Sequence, residues 1–143
     1  MIRNKGFTLI ELLVVIAIIG LLATIVLFSI DTIKSKSRDA RRVADIKVIQ
    51  EGLSMYYNNN FLYPNSGASA IEINGSTDII SQALISDGVM SGVSIDPLNK
   101  DIEGVTYKYY YQSLDSQRDY VVTFYLETNT IKNKLQGINI VNP

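Results

Sequence analysis

Residues Lys5–Phe28 read KGFTLIELLVVIAIIGLLATIVLF, and Glu11 is the one charge inside the apolar run that follows the lysine. From Phe7 to Ile30 the run is 24 residues long. As a helix it would extend about 36 Å, enough to cross a hydrocarbon layer of about 30 Å. A secretory signal has a shorter apolar region, roughly 7–15 residues, followed by a small-residue cleavage site. Nothing after Ile30 has that form. The small residue instead precedes the run, at the end of a short basic leader, Met1-Ile2-Arg3-Asn4-Lys5-Gly6.

A charge in a membrane span costs roughly 2.5–3.5 kcal/mol at mid-layer and less near an end, so Glu11 needs a reason to be there. Removal of the leader after Gly6 would supply one. Phe7 would then carry a free ammonium group, and Glu11 lies four residues on, along the same helix face. The carboxylate would have a natural partner in a terminal amine, on its own chain or on a neighbour packed beside it.

Charge divides the rest of the chain. Between Lys34 and Lys47 lie six basic residues, Lys34, Lys36, Arg38, Arg41, Arg42 and Lys47, against Asp39 and Asp45. From Val48 to Pro143 five basic residues face ten acidic ones. The pattern is a neutral apolar stem, a basic collar and an acidic head. With no cysteine and no histidine, disulfide frameworks, Cys/His zinc sites and His-based triads are excluded. No pair of carboxylates is placed for acid–base chemistry and no phosphate-cradling glycine loop occurs, so no catalytic residue, metal or cofactor is expected. The formal net charge of −1 gives no global sign of a nucleic-acid binder. Contact of the collar with DNA is therefore a partner without further support.

Helical periodicity continues past the apolar run. Ala40, Val43, Ile46, Ile49, Leu53 and Tyr56 recur at three- and four-residue steps, and no proline occurs from Met1 to Tyr63. This predicts one helix from Phe7 to about Tyr57, apolar all round and then amphipathic, with Arg38, Arg41, Arg42 and Asp45 largely off its apolar stripe. Asn58–Asn60 and Tyr63–Gly67 would end it in a loop. A short helix is expected at Thr77–Asp87, capped by Ser76 or Thr77 and stopped by Gly88. Two alternating segments, Val105–Gln112 and Tyr120–Glu127, read as half-buried strands joined by a polar turn, Ser113–Arg118. A third strand is expected near Ile131–Lys134 or Gly137–Val141. Asp96, Asn99, Asp101 and Glu103 are oxygen-rich but lack EF-hand spacing, and are read as a solvated loop. Most of the nine tyrosines fall where sheet or core packing explains them; Tyr110 and Tyr125 lie on the opposite strand faces. The expected fold is α+β, a long N-terminal helix, membrane-spanning in its first half, packed on a small antiparallel sheet. Its parts are a leader at 1–6, an apolar helix at 7–30, and a head at 31–143 with helix to about 57, loop and short helix at 64–95 and sheet at 104–143.

Gly6-Phe7-Thr8-Leu9-Ile10-Glu11, with a basic leader before it and an apolar helix after it, resembles the prepilin motif of type IV pilins and type II secretion pseudopilins. The resemblance implies cleavage after Gly6 and N-methylation of Phe7 by a membrane peptidase, and docking of Glu11 on the terminal amine of an adjacent subunit. Less sharply, Arg41–Ile46, Tyr56-Tyr57 and Tyr63-Pro64 are similar to the helix end of major pseudopilins, and Asp96-Pro97 with the strands that follow to their sheet. The segment after Glu127 lacks the acidic cluster that binds calcium in such proteins, so that metal is not carried over. The implied partners are further copies of the chain in a helical filament, the peptidase, an assembly machinery and, before assembly, membrane lipid. The implied location is the cytoplasmic membrane, then a surface filament or a periplasmic pseudopilus. Arg38, Arg41 and Arg42 are candidates for pairing with acidic heads of neighbouring subunits. The rivals are a secretion or competence pseudopilin acting as a piston, and a membrane-anchored binding domain in which Gly6 and Glu11 are coincidental.

Overall fold

A computed structural model describes residues 7–143; the leader and the cleavage position Gly6 lie outside the described residues. Helix α1, Leu9–Asn60, runs through two units, one reaching to Ser35 and one beginning at Lys36.

In the first unit every described side chain from Phe7 to Ile25 is exposed. The stretch is rich in β-branched Val and Ile, which are middling helix formers. By length and composition it can cross a membrane. In hydrocarbon a helix satisfies all its own backbone groups, which propensity alone would not enforce. Thr24 bonds back within the same segment, its hydroxyl donating to the Gly20 carbonyl at 2.8 Å.

In the second unit α1 buries Asp39, Arg42, Ile46, Ile49 and Leu53, a run at three- and four-residue steps. Ile46, Ile49 and Leu53 pack with Tyr111, Tyr120, Val122, Phe124 and Leu126 of the sheet and with Ile73, Ile80, Leu84, Val93 and Tyr109 in one core. Gly52 allows close approach: a Cβ there would lie 2.6 Å from Met90 Sδ. The helix outruns its expected end and stops at Asn60. Asn59 and Asn60 donate side-chain amides to Asp87, and the Asn60 amide also reaches the Tyr56 carbonyl at 3.0 Å. Phe61 then takes a left-handed conformation (φ 59°), and its N–H closes on the Tyr57 carbonyl.

The short helix α2 spans Ile79–Ser86, and its cap is Asp78 rather than Ser76 or Thr77. A carboxylate does more than a hydroxyl here: one oxygen accepts from Ser81 N at 2.8 Å, and the other from Asn74 N and Gly75 N. Gly88 (φ 72°) ends α2 as expected, with Val89 N–H on the Leu84 carbonyl.

The main sheet has the order β1-β4-β5-β6, all antiparallel: Ile71–Glu72, Tyr110–Leu114, Asp119–Leu126 and Gly137–Val141. Of the two third-strand candidates, Gly137–Val141 is the one that pairs, with Tyr125 opposite Ile138. In β5 the buried set Tyr120, Val122, Phe124 and Leu126 alternates as the sequence predicts. The expected strand Val105–Gln112 is split. Its first part, β3 (Val105–Tyr107), folds back on β2 (Lys100–Ile102) in a separate two-stranded ribbon. The ribbon turns at Glu103-Gly104, both at positive φ, the requirement of a two-residue hairpin. The side-chain parity survives the split, so Tyr109 and Tyr111 remain buried. The polar turn is a 3-10 turn, Asp115–Gln117, with φ positive at all three residues.

Candidate functional site

Two sites carry the chemistry, one in each unit. At the start of α1 the segment Thr8-Leu9-Ile10-Glu11 forms a capping box. Glu11 Oε2 accepts from the Thr8 N–H at 2.8 Å and from the Thr8 hydroxyl at 2.6 Å, while the Glu11 N–H reaches Thr8 Oγ1 at 3.3 Å. The cap satisfies orphan donors of the first turn and places a carboxylate at the positive end of the helix dipole. It also fixes the side chain. Glu11 Oε1 has no hydrogen bond among the described residues.

The second site lies where α1 enters the head. Arg42 is fully buried and its guanidinium is shared among three carboxylates. Nε and Nη2 donate to the two oxygens of Asp96 at 2.6 and 3.1 Å, and Nη1 donates to Asp39 Oδ1 at 2.9 Å and to Glu127 Oε1 at 2.6 Å. Arg38 forks onto the same Glu127, with Nε on Oε1 at 2.7 Å and Nη2 on Oε2. Asp39 accepts in turn from Glu127 N at 2.9 Å, Thr128 N at 2.8 Å and the Thr128 hydroxyl at 2.7 Å. The Tyr107 ring lies under the Arg42 guanidinium, 5.2 Å from its centre. Burial opposes the Arg42 charge, but Asp96, Glu127 and Asp39 more than offset it and push the pKa up. Burial likewise favours the neutral form of Glu127, yet hydrogen bonds from Arg38 and Arg42 hold its pKa down at about 2. Nearby, burial, with the carboxylates of Asp45 and Asp96, pushes the Tyr109 phenol up; its hydroxyl donates to Asp45 at 3.2 Å.

Residues 1–27 match the family described as the prokaryotic N-terminal methylation motif. The chain is similar to the type II secretion system core protein G of Escherichia coli, 31% identical over 69% of this chain and 70% of that protein. Against the core protein G of Klebsiella michiganensis it is 32% identical over 72% and 74% of the two chains. The type IV major pilin protein PilE1 of Neisseria gonorrhoeae is 29% identical over 71% and 59%. The chain belongs to the type IV pilin and pseudopilin family. No solved structure matches it.

In this pilin-like frame the three collar arginines separate. Arg42 points inward and is saturated, and Arg38 is half-buried on Glu127, so neither forms the outward-facing set that periodicity suggested. Arg41 alone of the three faces solvent, its side chain 68% exposed and 3.7 Å from Asp45. Asp96, read from the sequence as part of a solvated loop, is buried because it receives Arg42; Asp101 and Glu103 are exposed on the β2–β3 ribbon. Among the described residues no three His, Cys, Asp or Glu side chains are placed to hold a metal ion. Tyr110 and Tyr125 line a cleft of about 270 Å³ with Val105, Lys108 and Thr123, and Tyr125 meets Tyr107 edge-on at 5.1 Å. Thr8, Asp39 and Glu127 were not singled out by sequence reasoning. Thr8-x-x-Glu11 before an apolar run is a readable capping signature, and Asp39 is three residues from Arg42 on one helix. Nothing local links either to Glu127.

Proposed function

We propose that the chain is a structural subunit of a pilus-like filament, trimmed after Gly6, methylated on Phe7 and polymerised through its N-terminal helix. The observation that carries this reading is an apolar helix exposed on its described sides whose lone carboxylate is already oriented by its own cap. Thr8 takes Oε2, and Oε1 is left for a donor from outside the chain, here the terminal amine of a neighbouring subunit. Stems from Phe7 to Ile30 exchange lipid contacts for contacts with one another, where packing and polar pairing drive helix association. Heads form the outer surface, and of the three collar arginines Arg41 is the one exposed to a neighbour's acids. We assign the chain no catalysis.

Within this reading, a secretion pseudopilus is favoured over a surface pilus by the core protein G relatives of Escherichia coli and Klebsiella michiganensis, which are more identical to the chain than the pilin and are covered over more of their length. Intact-mass spectrometry on sheared surface material and on the remaining envelope tests both levels. Mature chain beginning at methylated Phe7 and confined to the envelope is the expected result. The same species abundant in the sheared fraction would mean a pilus subunit. A chain that keeps Met1–Gly6 in both fractions would be an anchored domain, and the docking role of Glu11 would fall.

A further inference from the structure

Along α1 from its N-terminus, the first buried side chains among the described residues are Asp39 and Arg42; the buried apolar side chains Ile46, Ile49 and Leu53 come only afterwards. The head therefore grips the incoming helix first through directional ionic bonds. At least eight hydrogen bonds cross from α1 to the rest of the head here: two from Arg42 to Asp96, one from Arg42 to Glu127, two from Arg38 to Glu127, and three into Asp39 from Glu127 and Thr128. They tie α1 at once to the end of β5 and to the loop before β2.

We infer that this cluster is a mechanical clamp, which keeps the head from being stripped off α1 when the stem and the head are pulled apart. The covalent link between the units is α1 itself, so any such pull enters the head just ahead of Arg38. Apolar contacts are non-directional and exchange partners as surfaces slide. Hydrogen bonds near 2.6–3.1 Å do not: a slip of about 1.5 Å, one residue's rise along the helix, takes them out of bonding range together. Slippage would also part the Asp96 and Glu127 carboxylates from the guanidiniums of Arg42 and Arg38 inside the protein, a state far worse than either the paired or the solvated one. The first increment of motion therefore meets the steepest part of the resistance. The source of the pull rests on the filament reading; the clamp does not, and its test needs no filament.

The chain lacks cysteine, so handles can be placed at will. Optical-tweezers unfolding of the full chain in detergent micelles, with Ser37→Cys and Asn142→Cys as attachment points, loads α1 at its entry. Ser69→Cys with Asn142→Cys bypasses that entry. Arg42→Ala is compared with Ile49→Ala, a core truncation on the same helix outside the cluster, at denaturant concentrations that equalise their equilibrium stabilities. Under load through residue 37, Arg42→Ala should unfold roughly 100-fold faster than the parent chain and well ahead of Ile49→Ala. Through residue 69 the two variants should behave alike. Equal acceleration of the two variants in both geometries would overturn the clamp, because resistance would then follow total stability. If Arg42→Ala fails to fold, Glu127→Gln keeps the side-chain shape and removes one charge. It should show the same dependence on geometry at smaller size, and its absence would overturn the clamp as well.

Discussion

Glu11 and Arg42 are both charges on a face of α1 where apolar side chains would otherwise stand. Glu11 is exposed and finds its partner three residues away, on the backbone and hydroxyl of Thr8. Arg42 is buried, and its partners Asp96 and Glu127 stand 54 and 85 residues away in the chain. The stem's charge is thus oriented but not saturated, whereas the head's charge is saturated by the fold itself. The first arrangement leaves one carboxylate oxygen without a hydrogen bond among the described residues; the second pairs its charge wholly within the head.

The largest effect expected from this contrast concerns assembly. Glu11→Leu should abolish filament formation while leaving the urea denaturation midpoint of the head unchanged, because the hydrogen bonds of the Glu11 side chain are to Thr8 within its own unit. Electron microscopy of sheared and envelope fractions, paired with denaturation of the purified chain, reads both. Filaments at parental yield would mean that the carboxylate is no docking element and that the contrast is empty. Arg42→Ala should do the reverse: processing of the leader proceeds, but the head loses about 3–5 kcal/mol, since the buried Asp39 and Asp96 lose their cation and Glu127 keeps only Arg38. Arg42→Lys should lose less, because charge remains while the planar fork onto Asp96 does not. A loss below about 1 kcal/mol in Arg42→Ala would mean that water reaches the cluster and that its burial is not energetic.

How much of this could be read in advance follows the same local-versus-distant divide. The stem and its carboxylate are legible because every relation that matters spans four residues or fewer. The alternation of β5 is legible because one face is buried along its whole length. The inward turn of Arg42 is not: three-residue spacing puts Asp39 beside it, but only the fold brings Asp96 and Glu127 there, and without them a buried arginine is prohibitive. The two-residue turn at Glu103-Gly104 was hidden for a related reason. The alternation of Val105–Gln112 continues unbroken through the point where the chain leaves the β2–β3 ribbon for the main sheet, and period alone does not mark a change of partner.

The paired carboxylate gives the head an acid limb. Glu127 is held at about 2 against an ordinary 4.5, so the folded state binds its proton later than the unfolded chain does. The stability this brings is present above the unfolded value and is lost as pH falls from about 4.5 through 2. Stability against pH over that window should flatten in Glu127→Gln, and an unchanged slope would remove Glu127 as the cause. At the other extreme, burial, with the Asp45 carboxylate second, raises the Tyr109 pKa. That contribution is complete below pH 10 and is lost as pH rises beyond it, so Tyr109→Phe should blunt the alkaline limb.

The smallest expected effect probes whether the head is as saturated as Arg42 suggests. Ser81 is fully buried in α2, its N–H held by Asp78, yet its hydroxyl is the one buried side-chain polar atom without a hydrogen-bond partner among the described residues. An unpaired hydroxyl keeps the cost of leaving water and gains no bond in return, and alanine is the better helix former. Ser81→Ala should therefore stabilise the head, by up to about 1 kcal/mol, against a slight loss from the vacated volume. Urea denaturation resolves the sign. If the variant is instead less stable, the hydroxyl has a partner in solution, and saturation in the head extends from its charges to all its buried polar groups. If it is more stable, saturation is confined to the charges, where leaving a group unpaired costs most, and the neutral polar groups are tolerated at whatever cost the core can absorb.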